Sequence, residues 1–426
     1  MPEPVQETAI RDAVDRGLDE QLDFTSALVR YPSIRGAEHT AQDFMARSMR
    51  ERGLEVDRWL IDIEDIKGLK GFSPVNVSYE NALNVVGIHR PQVKKGRSLV
   101  LNGHIDVVPE GPLDMWTRPP YEPYIADGWL YGRGSGDMKA GLIACLSALD
   151  ALKRCGWVPA AEVFVQSVIE EECTGNGALA CVGRGYVADA ALIPEPRGES
   201  VLSAQIGVIW FQMRLKGRPV HVAVAGDGAN AIEAAAPIFR ALHAMKDRWN
   251  GNKASFPPYQ TVDHPININI GKIAGGDWAS SVPAWCDIDV RIAVYPGQDL
   301  AAARLEIEDT IRAAAQKVPF LANNPPEVHY HGFQAEGYVL PEGSEAERVL
   351  GVAHQHAFGE KLLRTPTTAT TDARFFGLYA AMPALVYGPR AMGVHGFDEK
   401  VEVESIRRTT QTMALFIADW CGLEAA

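Results

Sequence analysis

The chain has 426 residues, more than one ordinary domain of roughly 150 residues would use. With 46% hydrophobic and 22% charged residues it has the composition of a folded globular protein and not of a disordered one. Lys+Arg minus Asp+Glu is 41 − 54, a net charge of −13, which argues against a broad nucleic-acid or anionic-membrane surface.

The opening residues, MPEPVQETAIRDAVDRGLDE, have neither a basic n-region nor an apolar h-region, so no secretory leader is expected. No stretch reaches the roughly 18 apolar residues of a membrane span. The six cysteines (Cys145, Cys155, Cys173, Cys181, Cys286 and Cys421) include no CxxC spacing and make no disulfide framework. The expectation is a cytoplasmic protein with buried free thiols.

In chain order, residues 5–30 read as a helix and 39–53 as a second ending at Gly53. Residues 97–101 and 162–169 are short, nearly continuous apolar runs, the pattern of strands buried on both faces. Between them, 138–152 carries Met138, Leu142, Cys145, Leu146, Leu149 and Leu152 on one helical face, with Gly156 as a stop signal. This is βαβ logic. Near residue 207 the texture changes. In 207–216 and 284–294 apolar and polar residues alternate strictly, which predicts an antiparallel sheet with one wet face. Helices are expected over about 230–248, kinked at Pro237, and about 299–316. Beyond the insertion, 345–358 reads as a helix, 384–388 as a buried strand and 402–420 as a final helix. The predicted fold class is α/β: a mixed, largely parallel sheet covered by helices, formed by 1–206 and 335–426. It is interrupted at 207–334 by an α+β domain with an antiparallel sheet and two helices.

Five acid- or imidazole-bearing clusters fall where predicted strands end. His104 and Asp106 follow the first run at i, i+2 spacing, so a carboxylate can orient the imidazole toward a metal. Alone, the pair reads more readily as an ordinary strand-end histidine hydrogen-bonded to a neighbour. Asp137 closes Gly132-Arg133-Gly134-Ser135-Gly136 at a helix entry, where Asp is also a favoured N-cap. Its negative charge stands where a phosphate site would need a glycine. Glu170-Glu171-Glu172 follow the second run; three adjacent carboxylates repel unless solvent or cations compensate. Glu195 lies between two prolines after an apolar segment, and His395 sits in a glycine-rich loop beyond 384–388. In an open α/β sheet, ligands bind beyond the carboxyl ends of the strands. Two His, one Asp and two Glu there suit Zn2+, Co2+ or Mn2+, and two ions sharing a carboxylate would leave a spare Glu as general base. No G-x-S-x-G elbow and no HExxH is present, which disfavours a serine acyl-enzyme and a zincin-type peptidase.

The motifs NGHIDVVP (102–109), LYGRGSGDMKAG (130–141), IEEECTGNGA (169–178), PEP (194–196) and VHGFDE (394–399) occur in one order over nearly the whole chain. In this the sequence resembles the family of acetylornithine deacetylase, succinyl-diaminopimelate desuccinylase, aminoacylase-1 and glutamate carboxypeptidase. The resemblance implies two divalent ions per chain, with Zn2+ first and Co2+ or Mn2+ as alternatives. His104, Asp137 and Glu195 would hold one, and Asp137, Glu172 and His395 the other. It implies Glu171 as general base, Asp106 as the partner of His104, and a lid at 207–334 through which the chain forms a homodimer. His221, in Gly217-Arg218-Pro219-Val220-His221, would reach the partner's site and steady an oxyanion, although by itself it reads as an ordinary strand-end histidine. Arg291 would bind a substrate carboxylate, although by itself it also reads as an exposed residue paired with Asp289. Ser280 stands where the family's lid loop often has Asn. The expected activity is removal of an N-acyl group from a small carboxylate-bearing substrate, such as an N-acyl amino acid, by metal-bound hydroxide. A dipeptidase or carboxypeptidase, or a hydrolytic deaminase of a small amine, would use the same centre.

Overall fold

The computed structural model describes residues 4–426, with side chains from residue 5 onward. In chain order, the strands of its two principal sheets are β1 (Glu55–Leu60), β2 (Leu83–His89), β3 (Leu99–His104), β4 (Val163–Val168), β5 (Ala191–Ile193), β6 (Gly207–Lys216), β7 (Ile268–Gly275), β8 (Trp285–Val294), β9 (Glu327–Ala335) and β10 (Ala384–Val386). The first sheet has the order β1-β2-β4-β3-β5-β10. β3 pairs in parallel with β4 and β5, and β10 in parallel with β5; β2 alone runs against the rest. Every residue of β3 and β4 is buried, which is why these strands read as continuous apolar runs. Helices His39–Glu51 and Ala140–Arg154 pack on this sheet, the latter also against Val403–Cys421.

β6–β9 form a separate antiparallel sheet in the order β7-β8-β6-β9. Helices Ala235–Gly251 and Leu300–Ala315 pack together over it, enclosing a second core that includes Ile288, Val290 and Ile292. Each such buried side chain stabilises by roughly 1.5–3 kcal/mol.

Several expectations need correction. Residues 5–30 are two helices, Pro4–Arg16 and Leu18–Val29, because Gly17 breaks the run and leaves room for the Arg154 guanidinium. The helix expected from 230 begins at Ala235, so Pro237 lies in its first turn, where a missing N–H costs nothing, and no kink results. Strands β1, β2, β7 and β9 escaped the sequence pattern. β1 and β7 are largely exposed edge strands and β9 mixes histidines with apolar residues, so these three show no clean period, whereas β2 is a buried run interrupted in sequence by Asn84 and Gly87.

The antiparallel sheet is entered at 205–207 and left at 335–338, each time from or to a small third sheet of Ser200–Gln205, Tyr338–Val339 and Leu363–Thr367. The crossings touch: a Cβ on Gly337 would lie 2.8 Å from Gln205 O, 2.8 Å from Pro296 Cα and 2.9 Å from Gly207 N. All three atoms are backbone, so nothing flexible can yield. Gly337→Ala is therefore expected to lower stability by about 1–3 kcal/mol in urea denaturation; an unchanged midpoint would contradict this packing.

Candidate functional site

The carboxyl ends of the parallel strands bring the predicted residues together. His104 is the last residue of β3, Glu170–Glu172 follow β4 by two positions, and Glu195 follows β5 by two. Asp137 comes from the turn Ser135–Lys139 before helix Ala140–Arg154; its side chain caps nothing, and its φ and ψ are not helical. His104 Nε2 stands 3.1 Å from Asp137 Oδ1 and 3.7 Å from Glu195 Oε1. His395 Nε2 stands 3.4 Å from Asp137 Oδ2 and 3.0 Å from Glu172 Oε2. The Asp137 carboxylate thus turns one oxygen to each histidine.

Ligand atoms of His104, Glu171 and Glu195 lie within 4.8 Å of one another, as do those of His104, Asp137 and Glu172. These groups overlap the expected ligand sets but differ in detail. Glu171 sits at ligand range beside His104 and Glu195, and His395 pairs with Asp137 and Glu172. The donors are imidazole and carboxylate, and buried Glu171 Oε1 has no hydrogen-bond partner. Such a set, with an unpartnered oxygen among like charges, fits a centre for divalent Zn2+, Co2+ or Mn2+.

The electrostatics follow from crowding. Burial, then Glu195, raises the pKa of Glu171 well above the carboxylate range, despite His104. Burial does the same to Glu195, with Asp137 and Glu172 adding to it. Burial would also raise Asp137, but hydrogen bonds from His104 and His395 hold it well below the ordinary value. Glu172 is the largest influence on His395, raising it to about 11. Burial disfavours the charged form of His104, yet Glu195 and Asp137 push it well above its usual value. The surrounding acids thus draw each ring toward its charged form.

Asp106 has a wider role than expected. The second nitrogen of His104 meets the backbone oxygen of Asp106 at 2.9 Å, while its carboxylate lies at 3.6 Å. That carboxylate accepts instead from Glu171 N–H (3.2 Å) and Glu172 N–H (3.1 Å), and so orients the acidic turn. Glu170 anchors the same turn from the other side: its carboxylate accepts from Arg35, Tyr79 and Thr174, and its φ is 60°. Three acids were missed. Asp372 is buried with both oxygens unpartnered, and burial raises it to about 7, opposed by Arg374 and His104. Glu38 is buried close to Asp106. Glu399 binds the Asp137 turn. Glu399 lies inside a quoted motif; the other two sit in segments with no strand-end signal.

The residues singled out in 207–334 lie apart from this cluster. His221 is exposed, its Nδ1 accepts from Ala223 N–H, and it pairs in an isolated bridge with Ser281. Ser280 is exposed beside it, its backbone oxygen accepting from Val222 N–H. Neither is bonded to the acidic cluster. The exposed-pair reading of Arg291 fails: Arg291 is half-buried and has no carboxylate partner among the described residues. Asp289 instead accepts from Gln212 and lies 3.4 Å from His331. Arg291 Nη2 reaches only Thr368 O, at 3.5 Å.

Two outcomes follow. Burial, then Asp106, pushes Glu38 from 4.5 up to about 8. Between those values the folded chain keeps a proton that the unfolded chain releases, so stability falls as pH rises through that window. Glu38→Gln should flatten the decline in a pH series of urea denaturations; a slope equal to wild type contradicts the assignment. Zn2+ added after chelation should raise Tm, since binding at 100 times Kd adds about 2.7 kcal/mol. A Tm indifferent to Zn2+, Co2+ and Mn2+ counts against a metal centre.

Residues 100–419 match the model of Peptidase family M20/M25/M40. The chain is 28% identical to an N-formyl-4-amino-5-aminomethyl-2-methylpyrimidine deformylase of Halalkalibacterium halodurans, covering 97% of each chain. It is 27% identical to a succinyl-diaminopimelate desuccinylase of Stenotrophomonas maltophilia, over 90% of this chain and 95% of that one. A dipeptidase of Saccharomyces cerevisiae shares the fold, with TM-score 0.80, 15% identity, and coverage of 97% and 98%. The chain belongs to peptidase family M20/M25/M40 and is a metal-dependent hydrolase acting on carbon–nitrogen bonds.

Proposed function

We propose that the protein removes a small acyl group from the nitrogen of a small molecule, using two divalent ions held between the two histidines. The observation that carries this is Asp137 offering one oxygen toward His104 and the other toward His395, with Glu195 and Glu172 at the outer ends. His104, Asp137 and Glu195 would hold one ion, and Asp137, Glu172 and His395 the other, with Zn2+ the first candidate. Bound there, the ions would lower the pKa of a water and polarise the substrate carbonyl.

Glu171 is the base. Its buried, unpartnered Oε1 and raised pKa suit a group that takes the proton of the attacking water and delivers it to the departing nitrogen. Asp106 keeps that carboxylate aimed by holding the N–H groups of Glu171 and Glu172. Arg291, a half-buried cation with no carboxylate of its own, is the binding group for a substrate carboxylate or another electron-rich acceptor. Residues 207–334 act as a lid. Exposed Val222, Val224 and Trp278 near His221, and exposed Ile273 on β7, support pairing of two lids in a homodimer, in which His221 serves the partner's site and Ser280 meets substrate. Six unpaired cysteines support a reducing, cytoplasmic location.

Deacylation is preferred to peptide cleavage because the relatives covered nearly end to end include a deformylase and desuccinylases, whereas the dipeptidase likeness concerns fold. The test is a metal-supplemented screen with product identification, covering an N-formyl aminomethylpyrimidine, N-succinyl and N-acetyl amino acids, and dipeptides. Free carboxylic acid plus amine is expected. Glu171→Gln should lose about 10²–10⁴ in kcat while binding metal normally. Cleavage of dipeptides alone, release of ammonia, or an unchanged Glu171→Gln rate would each overturn the corresponding part.

A further inference from the structure

The two metal-facing turns, 132–137 and 393–399, meet at one buried carboxylate. Glu399 is 1% exposed and receives four donors. Its Oε2 accepts from Arg133 Nη1 at 2.6 Å and Gly134 N–H at 3.0 Å. Its Oε1 accepts from Gly136 N–H and Asp137 N–H, both at 3.0 Å. The last donor belongs to the residue whose carboxylate stands between the histidines.

Arg133 closes the link from the other side. It is 2% exposed, and its Nη2 donates to Gly396 O at 3.0 Å, one residue beyond His395. The guanidinium lies over the Trp116 ring, 5.1 Å from its centre, and Trp116 packs edge-on against Phe397. The pair is thus shielded from water, where its geometry is held most tightly. Gly136 has no side chain where Ala391 Cβ and Glu399 Oε1 crowd the backbone. His395 itself has φ 61°, a conformation that its surroundings must hold in place.

We propose that Glu399 is a positioning residue of the metal centre. Through Asp137 N–H on one side, and Arg133 and Gly396 O on the other, it sets the Asp137 carboxylate at the right distance from the His395 imidazole. This rests on the two-ion reading above. Charge and shape both matter here. A glutamine offers one acceptor oxygen, and its NH2 would face either the pair Gly136 and Asp137 N–H or the pair Arg133 and Gly134 N–H. One turn would be released in either case.

The test is calorimetric titration of the chelator-treated full chain with Zn2+ alone, for wild type, Glu399→Gln and Glu399→Asp, with kcat and KM on the best substrate from the screen. Wild type should bind two ions. Glu399→Gln should weaken at least one by about 10–100-fold and lower kcat with KM little changed. Glu399→Asp, which keeps the charge, should recover part of both. If Glu399→Gln loses thermal stability but binds both ions with wild-type affinity, Glu399 is only structural and the proposal is overturned. If Glu399→Gln does not fold, Glu399→Asp decides: weaker Zn2+ binding supports the proposal and unchanged affinity overturns it. A wild type that binds fewer than two ions sinks the two-ion reading itself, an outcome separate from failure of the variants.

Discussion

The arrangement depends on a concentration of buried negative charge at the end of a parallel sheet. Asp106, Asp137, Glu171, Glu172 and Glu195 converge there, with His104 and His395 the imidazoles among them. Desolvating an ionised carboxylate costs several kcal/mol even after relaxation. The protein answers that cost differently for each acid. Asp106 takes two backbone N–H groups, Asp137 takes two imidazoles, and Glu172 leans on His395. Glu171 and Glu195 are left raised and under-compensated, which is the state a cation would relieve. The chemistry assigned to the site follows from that imbalance.

Around this cluster the fold supplies rigid supports. The acidic turn after β4 is held by Glu170, and Asn176 exchanges hydrogen bonds with both N–H and C=O of Ser73. The same Ser73 hydroxyl accepts from Gln334 N–H on β9 of the lid, and Gly332 N–H donates to Pro74 O. On the far side, Tyr259 hydroxyl and Arg291 donate to Thr367 O and Thr368 O, in the segment leading to Asp372. Residues of the 207–334 segment therefore bond to two stretches of chain that border the acids.

Much of this was legible in the sequence because the chemistry and the strand ends coincide. His104, Asp137, Glu172, Glu195 and His395 each follow an apolar run or a glycine-rich turn, and the structure gathers all five. Less was visible where tertiary context decides. Asp106 was expected to aim its carboxylate at His104, but the backbone oxygen holds the ring and the carboxylate turns to two N–H groups. Arg291 pairs in register with Trp210 and Asn269, so no acid faces it across the sheet; spacing from Asp289 along the strand could not reveal that. Asp372 and Glu38 are buried acids with no motif of their own, and Glu399 discloses its purpose only through donors that come from more than 260 positions away. The edge strands β1 and β7 lack a buried face strict enough to leave a period.

The central claim is that these residues hold two ions on either side of Asp137. The most direct measurement is a crystal structure of the Zn2+-loaded protein with data collected across the zinc absorption edge. The account predicts two anomalous peaks per chain, one between His104 and Glu195 and one between His395 and Glu172, with the Asp137 carboxylate between them. A single peak, or peaks at other residues, would contradict it.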